Sequence, residues 1–403
     1  MKQTPSDLAM LGGSPAFDHP LYVGRPNTGD RQKLLERIND MLDRRWFSNN
    51  GPYVQQFEQA IANYLGVKHC IAICNATVAL EIAIRALGMT GEVIVPSFTF
   101  VATPHSLQWQ QITPVFCDVD PNTHCLDPHK LESLITPKTS GVIGVHIWGT
   151  PCAIEELTNI CQKRNLRLLF DAAHAFGCSY AETMIGNFGD AEVFSFHATK
   201  FINCFEGGAI VTNNDELAKK IRLMTNFGFS GYDEVIYIGT NGKMSEASAA
   251  MGLTSLEAMD EIIAANRQNY LTYQQYLADL PGVRLFHYPP EHRQNYQYVV
   301  LQINAQETGL HRDELARLLW AEQIIARRYF YPGCHRMEPY RSYFPHAHLL
   351  LPETEALVQQ TLLLPNGTTI SPTDIQVICQ LIRFIFENAA EISTLLQNRE
   401  SHD

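Results

Sequence analysis

The chain has 403 residues, of which 45% are hydrophobic and 18% are charged, proportions that are typical of a well-packed globular protein. This length exceeds what one hydrophobic core usually supports, so one large and one smaller domain are expected. The formal net charge of −12 argues against a nucleic-acid partner, because non-specific binding to DNA or RNA needs a basic surface. No apolar stretch reaches the length of a membrane span, so no membrane partner is expected.

The ten cysteines are scattered along the chain and include no Cys-x-x-Cys pair. This distribution predicts reduced, mostly buried thiols and no structural zinc or other metal site. The first residues lack the apolar segment of a secretory signal peptide. Both observations predict a cytoplasmic protein.

The first part of the chain alternates helical patterns with short apolar runs. Residues 1–30 are rich in Gly, Pro and Asp and predict an extended entry segment. Helices are predicted at 32–45, 53–65, 78–87, 153–164 and 214–225. Strands are predicted at Ile71–Cys74, Val93–Val95, Val115–Cys117, Val142–Ile147, Leu166–Phe170, Glu192–Phe196 and Ala209–Thr212. Because the runs are near-continuous Val, Ile and Leu, they predict an α/β fold whose largely parallel, seven-stranded sheet is covered on both faces.

The pattern changes near residue 244. A long helical stretch is predicted at 244–279, strands at Gln297–Ile303 and Ile325–Tyr329, and helices at 312–321 and 373–399. We therefore expect a large domain at 1–260, which includes the extended amino-terminal segment, and a smaller α/β carboxyl-terminal domain at 261–403.

A turn after the first apolar run is a candidate anion site. Ala76 and Thr77 follow Ile71–Cys74 and begin a helix near Val78. The free N–H groups and the positive dipole at the start of a helix favour a phosphate. Simple N-capping by Asn75 or Thr77 would give the same pattern, and for this turn alone it is the favoured interpretation.

Asp171 and Lys200 are the candidate catalytic residues. Asp171 ends the run Leu166–Phe170, where a carboxylate is costly unless it has a cationic or hydrogen-bonding partner. Lys200 follows Phe194 and Phe196, an aromatic context that would bury its amine and lower its pKa. The alternatives are a helix cap for Asp171 and a surface position for Lys200.

Three further side chains are candidates with weaker support. Phe100 follows the run Val93–Val95 and offers a flat ring that could stack on a flat cofactor, although a core position is the alternative. Ser195, five residues before Lys200, could add a hydroxyl to a phosphate site. His335 lies in a loop of the second domain, where a histidine is more often neither a metal ligand nor a substrate contact.

One amine, one carboxylate and one anion site are the groups that a protein needs to hold pyridoxal phosphate. The amine bonds to the aldehyde of the cofactor, the carboxylate keeps the pyridine nitrogen protonated, and the turn binds the phosphate. Lys200, Asp171 and the turn at Ala76 and Thr77 therefore predict a pyridoxal 5′-phosphate site.

The order of several motif blocks resembles that of the DegT/StrS family of sugar aminotransferases. The blocks are Asn75–Thr77, Pro96–Phe100, Asp171–His174, Gly186–Asp190, Phe194–Lys200 and Glu206–Gly208. The resemblance extends from the turn at Gly51 to the region of Pro365, which is nearly the whole chain. It implies the type I aspartate aminotransferase fold.

The resemblance also implies a role for each matching residue. Lys200 would carry the cofactor and then act as the acid and base that moves the proton, while Asp171 would pair with the pyridine nitrogen. Phe100 would stack on the ring, with His174 near its opposite side or its hydroxyl group. The phosphate would be bound by Ala76, Thr77 and Ser195.

In such families a neighbouring subunit completes the pocket, which implies at least a homodimer with shared active sites. The segment that would reach the partner is Gly239–Glu246. Many members have arginine where this chain has Lys243, and a lysine cannot reproduce a bidentate arginine fork. Asn241 is therefore the expected cofactor contact from the second subunit. The expected substrate contacts are Lys243, Tyr331 and His335.

Finer similarity, in Asn241–Glu246, Ala250–Leu256 and Tyr331–His335, is to the 4-aminotransferases of desosamine and calicheamicin sugar pathways. It implies transfer of an amino group from L-glutamate to dTDP-4-keto-6-deoxy-D-glucose, giving dTDP-4-amino-4,6-dideoxy-D-glucose and 2-oxoglutarate. The alternatives are a 3-aminotransferase acting on a dTDP-3-keto-6-deoxyhexose and a non-catalytic regulatory protein with the same fold. A sugar 3-dehydratase is disfavoured, because relatives with that activity have histidine in place of Lys200.

Overall fold

The computed structural model describes residues 2–400. The strands are β1 Leu21–Tyr22, β2 His69–Ile73, β3 Glu92–Pro96, β4 Thr113–Cys117, β5 Thr139–Val145, β6 Arg167–Asp171, β7 Ser179–Tyr180, β8 Thr183–Met184, β9 Ala191–Ser195, β10 Gly208–Thr212, β11 Val283–Leu285, β12 Val299–Ile303, β13 Ile324–Ile325 and β14 Thr361–Leu364. Each of the apolar runs predicted before residue 213 is a strand of the central sheet.

The helices lie between and after these strands along the chain. They are α1 Arg31–Arg44, α2 Pro52–Leu65, α3 Ala76–Ala86, α4 Ala102–Gln108, α5 Pro128–Leu131, α6 Ile154–Arg164, α7 Asp215–Thr225, α8 Glu246–Glu257, α9 Met259–Leu277, α10 Ala305–Thr308, α11 Arg312–Ala321, α12 Tyr340–Tyr343, α13 Pro352–Gln360, α14 Pro372–Glu387 and α15 Ala389–Glu400. Within this described part of the chain, no helix has both the length and the apolar character that crossing a membrane would need.

The central sheet has seven strands in the order β2-β10-β9-β6-β5-β3-β4. All neighbours are parallel except β10, which is antiparallel to both β2 and β9. Successive side chains of a strand point to opposite faces, and Leu168 and Phe170 join one buried core while Leu169 joins the other. The prediction of a mostly parallel sheet covered on both faces is therefore confirmed.

The sheet brings several strand ends to one edge. The parallel strands β3, β5, β6 and β9 all end there, and β2 ends there too, because it runs antiparallel to β10. β10 begins at the same edge. Ligands of open α/β sheets gather beyond such carboxyl ends, so this edge is where the candidate residues are expected to meet.

The carboxyl-terminal region has its own antiparallel sheet of β11, β12 and β14, which α9, α11 and α13 contact, while α14 packs against α9. The predicted helical stretch 244–279 is divided into α8 and α9 at Ala258, whose ψ of 3° departs from helical geometry. The stretch 373–399 is similarly divided at Asn388. The domain boundary near residue 260 stays a prediction; this position lies in the first turn of α9.

The amino-terminal segment is fastened to the carboxyl-terminal region. β1 pairs in parallel with β13, and the buried carboxylate of Glu322 accepts hydrogen bonds from the backbone N–H groups of Ala9 and Ala16, both at 2.7 Å. The amine of Lys2 lies 2.9 Å from the same carboxylate. These contacts compensate the burial of Glu322.

The cysteines are free thiols, and all are buried except Cys74, which is partly exposed. This confirms the expected burial. Burial raises the pKa of most of these thiols, for example that of Cys117 to about 12, so they act as small apolar side chains in the cores.

Candidate active site

The candidate anion site is formed by the start of α3 and the beginning of β10. The side chain of Asn75 caps the helix by accepting a hydrogen bond from the N–H of Val78 at 2.9 Å. The N–H groups of Ala76 and Thr77 have no partner within the helix, because they lie in its first turn. A Cβ atom on Gly208 would lie 2.7 Å from the nitrogen of Ala76, so only glycine allows β10 to approach so closely. Capping and anion binding are thus compatible at this turn.

Ser195 lies at the same edge of the central sheet as this turn. It is the partner of Gly208 in β10, and Gly208 is in turn the partner of Ile73, the last residue of β2. The hydroxyl of Ser195, which is partly exposed, and the two free N–H groups of the helix start are neutral donors at one strand edge. Such a donor set suits the oxygens of a phosphate.

Asp171 ends β6 in a buried position. Its carboxylate accepts hydrogen bonds from the Thr103 hydroxyl at 2.8 Å and from the N–H of Ala173 at 3.1 Å. Burial raises the pKa of Asp171 above its ordinary value, although both hydrogen bonds oppose this rise. Within residues 2–400 these hydrogen-bond donors are neutral, so a cationic N–H group in the pocket would stabilise the ionised form further.

Lys200 follows β9, and its half-buried amine donates a hydrogen bond to the hydroxyl of Tyr298 at 3.2 Å. Burial lowers the pKa of Lys200 to about 8 from an ordinary value of 10.5, and the nearby carboxylate of Asp171 opposes the shift. A substantial fraction of the amine is therefore neutral near physiological pH, as a nucleophile or general base requires.

The lowered pKa predicts how the amine should react as the pH changes. Because the neutral amine is the reactive form, labelling of Lys200 by an amine-selective reagent should rise with pH and level off with a midpoint near 8. Exposed lysines should still be gaining reactivity at pH 10, since their pKa is about 10.4. Peptide mass spectrometry of the cofactor-free protein after brief labelling gives both curves.

A Tyr298→Phe variant provides the matched control, because it keeps the ring and removes only the hydroxyl. This hydroxyl accepts a hydrogen bond from the amine and so favours the charged form, which means that the midpoint should fall below 8 in the variant. A midpoint near 10 in the unaltered protein would contradict the described burial of Lys200.

An aromatic wall borders the amine. The ring of His174 lies 4.5 Å from that of Tyr298 and stacks on Trp148 at 5.7 Å. Nδ1 of His174 accepts a hydrogen bond from the backbone N–H of Trp148 at 3.3 Å, which places the proton of the neutral ring on Nε2. Burial lowers the pKa of His174 well below its ordinary value, so the ring is neutral.

Phe100 lies after β3 with 57% of its surface exposed. An exposed ring of this size at the mouth of a pocket is apolar surface that a flat ligand would cover. The core position considered for Phe100 is therefore wrong. Stacking on a cofactor ring stays a prediction.

Asn241 and Lys243 lie beyond the edge of the central sheet. The carbonyl of Gly242 accepts a hydrogen bond from the N–H of Cys74 at 2.7 Å, next to the anion turn. The amine of Lys243 donates to Asn226 at 2.9 Å and lies 4.7 Å from the centre of the Phe227 ring. Within one chain, Lys243 therefore contacts this loop rather than the pocket of Lys200.

The structure separates the two candidates of the loop Tyr331–His335. Tyr331 is exposed and lines a cleft, whereas His335 is buried. The ring of His335 contacts the Ser97 hydroxyl through Nδ1 at 2.7 Å and the Glu355 carboxylate through Nε2 at 2.5 Å. Because both ring nitrogens are engaged, His335 has no free polar atom for a substrate and instead links β3 to α13.

Tyr298, Thr103 and Trp148 belong to the site but have no recognisable signal in the sequence. Tyr298 begins a predicted strand, where an aromatic residue is expected for packing alone, and it lies 98 residues from Lys200 in the sequence. Thr103 lies in the short helix α4, which was not predicted. Trp148 has a φ of 57°, and nothing in the residues around it signals that conformation.

These residues together fit pyridoxal phosphate. The start of α3 with Ser195 can bind a phosphate, the buried carboxylate of Asp171 lacks a cationic partner within hydrogen-bonding distance among residues 2–400, and Lys200 supplies an amine of lowered pKa. The exposed ring of Phe100 offers a stacking surface. The donor set matches the three chemically distinct parts of this cofactor.

The comparisons with known proteins identify the family of the chain. The family model described as the DegT/DnrJ/EryC1/StrS aminotransferase family matches residues 29–383. The chain is 38% identical over 316 residues to a dTDP-4-amino-4,6-dideoxy-D-glucose transaminase of Shigella dysenteriae, covering 78% of this chain and 86% of the relative. It is 34% identical over 373 residues to a protein of the same description from Escherichia coli, covering 91% and 98% of the two chains.

Among solved structures, the chain is similar to DesI, whose crystal structure was determined in the presence of its TDP-sugar product. The identity is 49% and the TM-score 0.93, with 98% of this chain and 100% of DesI covered. The sheet order, the family match and this similarity agree with the aminotransferase fold that the motif blocks implied. The chain therefore belongs to the DegT/DnrJ/EryC1/StrS family of aminotransferases.

Proposed function

We propose that this chain is a pyridoxal 5′-phosphate-dependent transaminase that acts on a nucleotide-linked keto sugar. The proposed reaction transfers the amino group of L-glutamate to dTDP-4-keto-6-deoxy-D-glucose and gives dTDP-4-amino-4,6-dideoxy-D-glucose and 2-oxoglutarate. The observation that carries the proposal is the half-buried amine of Lys200 near the buried carboxylate of Asp171. The similarity to DesI and to the two transaminases supports the choice of sugar.

In this proposal the described residues hold the cofactor at three points. Ala76, Thr77 and Ser195 would bind its phosphate, Asp171 would pair with its pyridine nitrogen, and Phe100 and His174 would contact its ring. When bound, pyridoxal phosphate supplies an electron-withdrawing ring that stabilises negative charge on the carbon next to the amino nitrogen.

Asp171 controls the charge of that ring. An ionised carboxylate in a buried position attracts a proton to the ring nitrogen in contact with it. The hydrogen bonds from Thr103 and Ala173 keep the carboxylate oriented and favour its ionised form. The strength of the electron withdrawal therefore depends on Asp171.

Lys200 moves the proton. Its neutral amine would accept a proton from the α-carbon of glutamate at Nζ and would later return it, and in the sugar half of the reaction the same amine would move the proton in the opposite direction. The hydroxyl of Tyr298, at 3.2 Å, orients the amine. General acid–base catalysis of this kind contributes about 10²–10⁴-fold to a rate.

The aromatic wall of Trp148, His174 and Tyr298 limits the access of water. Trp148 is fully buried, and its indole N–H donates to His124 at 3.0 Å, so the indole itself presents no unpaired donor to the pocket. Exclusion of water strengthens the attraction between Asp171 and a protonated ring nitrogen.

The active assembly in this proposal is a homodimer with shared active sites. The loop that precedes Asn241 exposes a run of large apolar side chains, which on a monomer would be unfavourable surface. They are Phe227, Phe229, Val235, Ile236 and Ile238. Pairing of this surface would carry Asn241 and Lys243 towards the partner's pocket. Sedimentation of the purified protein as a monomer at micromolar concentration would contradict this part of the proposal.

The reaction is tested by incubating the protein with pyridoxal phosphate, L-glutamate and dTDP-4-keto-6-deoxy-D-glucose and identifying the sugar by NMR. We expect an equatorial amine at C4 together with 2-oxoglutarate. An amine formed only at C3, from a 3-keto isomer, would keep the transaminase and refute the choice of carbon. Cofactor binding through Lys200 without amine transfer to either sugar would favour another keto substrate or a regulatory protein.

A further inference from the structure

The segment that carries Lys200 has no regular secondary structure of its own. It connects the end of β9 at Ser195 to the start of β10 at Gly208, and neither a helix nor a strand lies within it. An irregular connection holds a functional side chain in a fixed position only where other parts of the molecule fix its backbone. The contacts of this connection therefore determine where the amine of Lys200 points.

The two peptide carbonyls that flank Lys200 are each bound by a side-chain amide from a distant segment. The carbonyl of Phe201 accepts a hydrogen bond from Nδ2 of Asn27 at 3.0 Å, and that of Thr199 accepts one from Nε2 of Gln297 at 3.3 Å. Among residues 2–400 no backbone N–H donates to either carbonyl. Because both amides are buried, the carbonyls would lose these hydrogen bonds in a place where water replaces them poorly.

Asn27 is itself held by hydrogen bonds. Its Oδ1 accepts from the hydroxyl of Thr368 at 2.6 Å, and its backbone carbonyl accepts from Nδ2 of Asn203 at 2.8 Å. The amide has a single orientation, because its nitrogen meets a carbonyl and its oxygen meets a hydroxyl. Asn203 belongs to the same connection as Lys200, so this connection and the amino-terminal segment exchange two amide hydrogen bonds.

The backbone around Asn27 lies close against its neighbours. A Cβ atom on Gly24 would lie 3.0 Å from the carbonyl oxygen of Thr199, and one on Gly29 would lie 2.7 Å from that of Thr254 in α8. Asn27 lies between these two points in the sequence. Its backbone is therefore fixed on both sides.

Gln297 is connected to the same network. Its carbonyl accepts a hydrogen bond from Nδ2 of Asn366 at 3.3 Å, and Asn366 precedes Thr368 by two residues in the stretch after β14. Gln297 also directly precedes Tyr298, whose hydroxyl accepts a hydrogen bond from the amine of Lys200. One polar network thus joins the amino-terminal segment, the start of β12 and the stretch after β14 around the lysine.

We infer that Asn27 and Gln297 are positioning residues for Lys200. Their amides fix the backbone on both sides of the lysine and so hold its amine in the pocket. The inference rests on the proposed function, in which this amine carries the cofactor and moves the proton. Loss of either amide changes the surroundings of the amine without removing a titratable group that faces it. Those groups are Asp171, His174 and Tyr298.

The pH dependence of Lys200 labelling tests this inference on the cofactor-free full-length protein. In Asn27→Ala the carbonyl of Phe201 loses its donor, so the amine should leave its buried position more often. The labelling midpoint should then rise from near 8 by about one pH unit or more, towards the value of about 10.4 for an exposed lysine. Peptide mass spectrometry after brief labelling at each pH gives the midpoint.

Two further variants follow the network outwards. Gln297→Met keeps the length of the side chain and removes the donor, so it should raise the midpoint as Asn27→Ala does. Thr368→Val should give a smaller rise, because it frees the amide of Asn27 but leaves it in place. The double variant of Asn27→Ala and Thr368→Val should shift the midpoint no further than Asn27→Ala, since Thr368 acts through Asn27.

Asn187 provides the matched control. Its Nδ2 donates to the carbonyls of Leu65 at 2.8 Å and Met184 at 3.1 Å, in the loop before β9 rather than after it. Asn187→Ala therefore removes comparable amide hydrogen bonds far from the strand edge that carries Lys200. It should lower the denaturant midpoint of unfolding and leave the labelling midpoint near 8.

In the holoenzyme, Asn27→Ala should lower kcat about 3- to 10-fold, the effect of one lost hydrogen bond, and leave KM for glutamate within about twofold. An unchanged labelling midpoint in folded Asn27→Ala or folded Gln297→Met would overturn the role of that residue. An equal shift in Asn187→Ala would assign the effect to general destabilisation and also overturn the inference.

Failure of the proposed function is a separate result. A raised labelling midpoint in the variants of a protein that transfers no amine to the keto sugar would support the positioning role and refute the reaction. Should Asn27→Ala not fold, Thr368→Val tests the same contact through its partner, and an unchanged midpoint there would count against Asn27.

Discussion

Replacement of Lys200 by alanine should lower kcat for transamination by at least about 10⁴-fold, because in the proposed function this one residue supplies both the covalent attachment and the proton transfer. The amine is half-buried with a pKa of about 8, and the chain places no other lysine in hydrogen-bonding distance of Tyr298 within residues 2–400. The measurement is the steady-state rate of 2-oxoglutarate formation at saturating glutamate and sugar.

Two controls make this result specific. Lys68→Ala removes an exposed lysine that forms an ion pair with Asp215 at the start of β2, and its activity should be unchanged. Added ethylamine should partly restore the rate of Lys200→Ala, since a small amine can enter the space and carry the proton. A Lys200→Ala variant with activity within tenfold of the unaltered protein would remove the basis of the proposed function.

Asp171→Asn should lower kcat by about 10²–10⁴-fold, because breaking one buried charge pair costs about 3–5 kcal/mol. The carboxamide has nearly the shape of the carboxylate, but it is neutral and cannot hold a proton on the ring nitrogen. The expected loss is in the rate of each half-reaction, measured by stopped-flow absorbance of the cofactor.

The cofactor-free Asp171→Asn protein should be at least as stable as the unaltered one. Burial raises the pKa of Asp171, which means that its ionised form destabilises the folded protein as long as no cation is bound beside it. Denaturant unfolding without cofactor measures this. Thr103→Val is the comparison variant: it removes one hydrogen bond to the carboxylate and should reduce activity only about 3- to 10-fold. Loss of both activity and stability in Asp171→Asn would indicate a structural residue.

The sequence predicted the central sheet well because its strands are buried on both faces. Each run of Val, Ile and Leu before residue 213 is a strand. Such a run can be recognised without knowing which strands lie beside it in the sheet. Helix continuity was harder to predict. The break at Ala258 between α8 and α9 has neither glycine nor proline, so the periodic pattern continues across it. The strand predicted at Ile325–Tyr329 is limited to Ile324–Ile325, and the residues after it turn towards the cleft.

The part of the candidate site that lies at or just after strand ends could be predicted from the sequence. Asp171 and Ser195 end neighbouring strands, and Lys200 follows one of them, so topology alone brings them to one edge. Contacts between distant segments carry no such signal. The hydroxyl of Tyr298 and the engaged ring of His335 depend on how the carboxyl-terminal region packs against the sheet, and sequence patterns do not describe that packing.

The pairing of β1 with β13 has a consequence for how the chain is made. The N–H of Ala9 bonds to a carboxylate 313 residues further along the sequence, so the amino-terminal segment can complete its contacts only after Glu322 has been synthesised. The last strand of the central sheet ends at Thr212, so this sheet can have all its strands while the amino-terminal segment still lacks its partner. The contacts of Glu322 with this segment therefore join parts of the polypeptide that are synthesised at widely separated times.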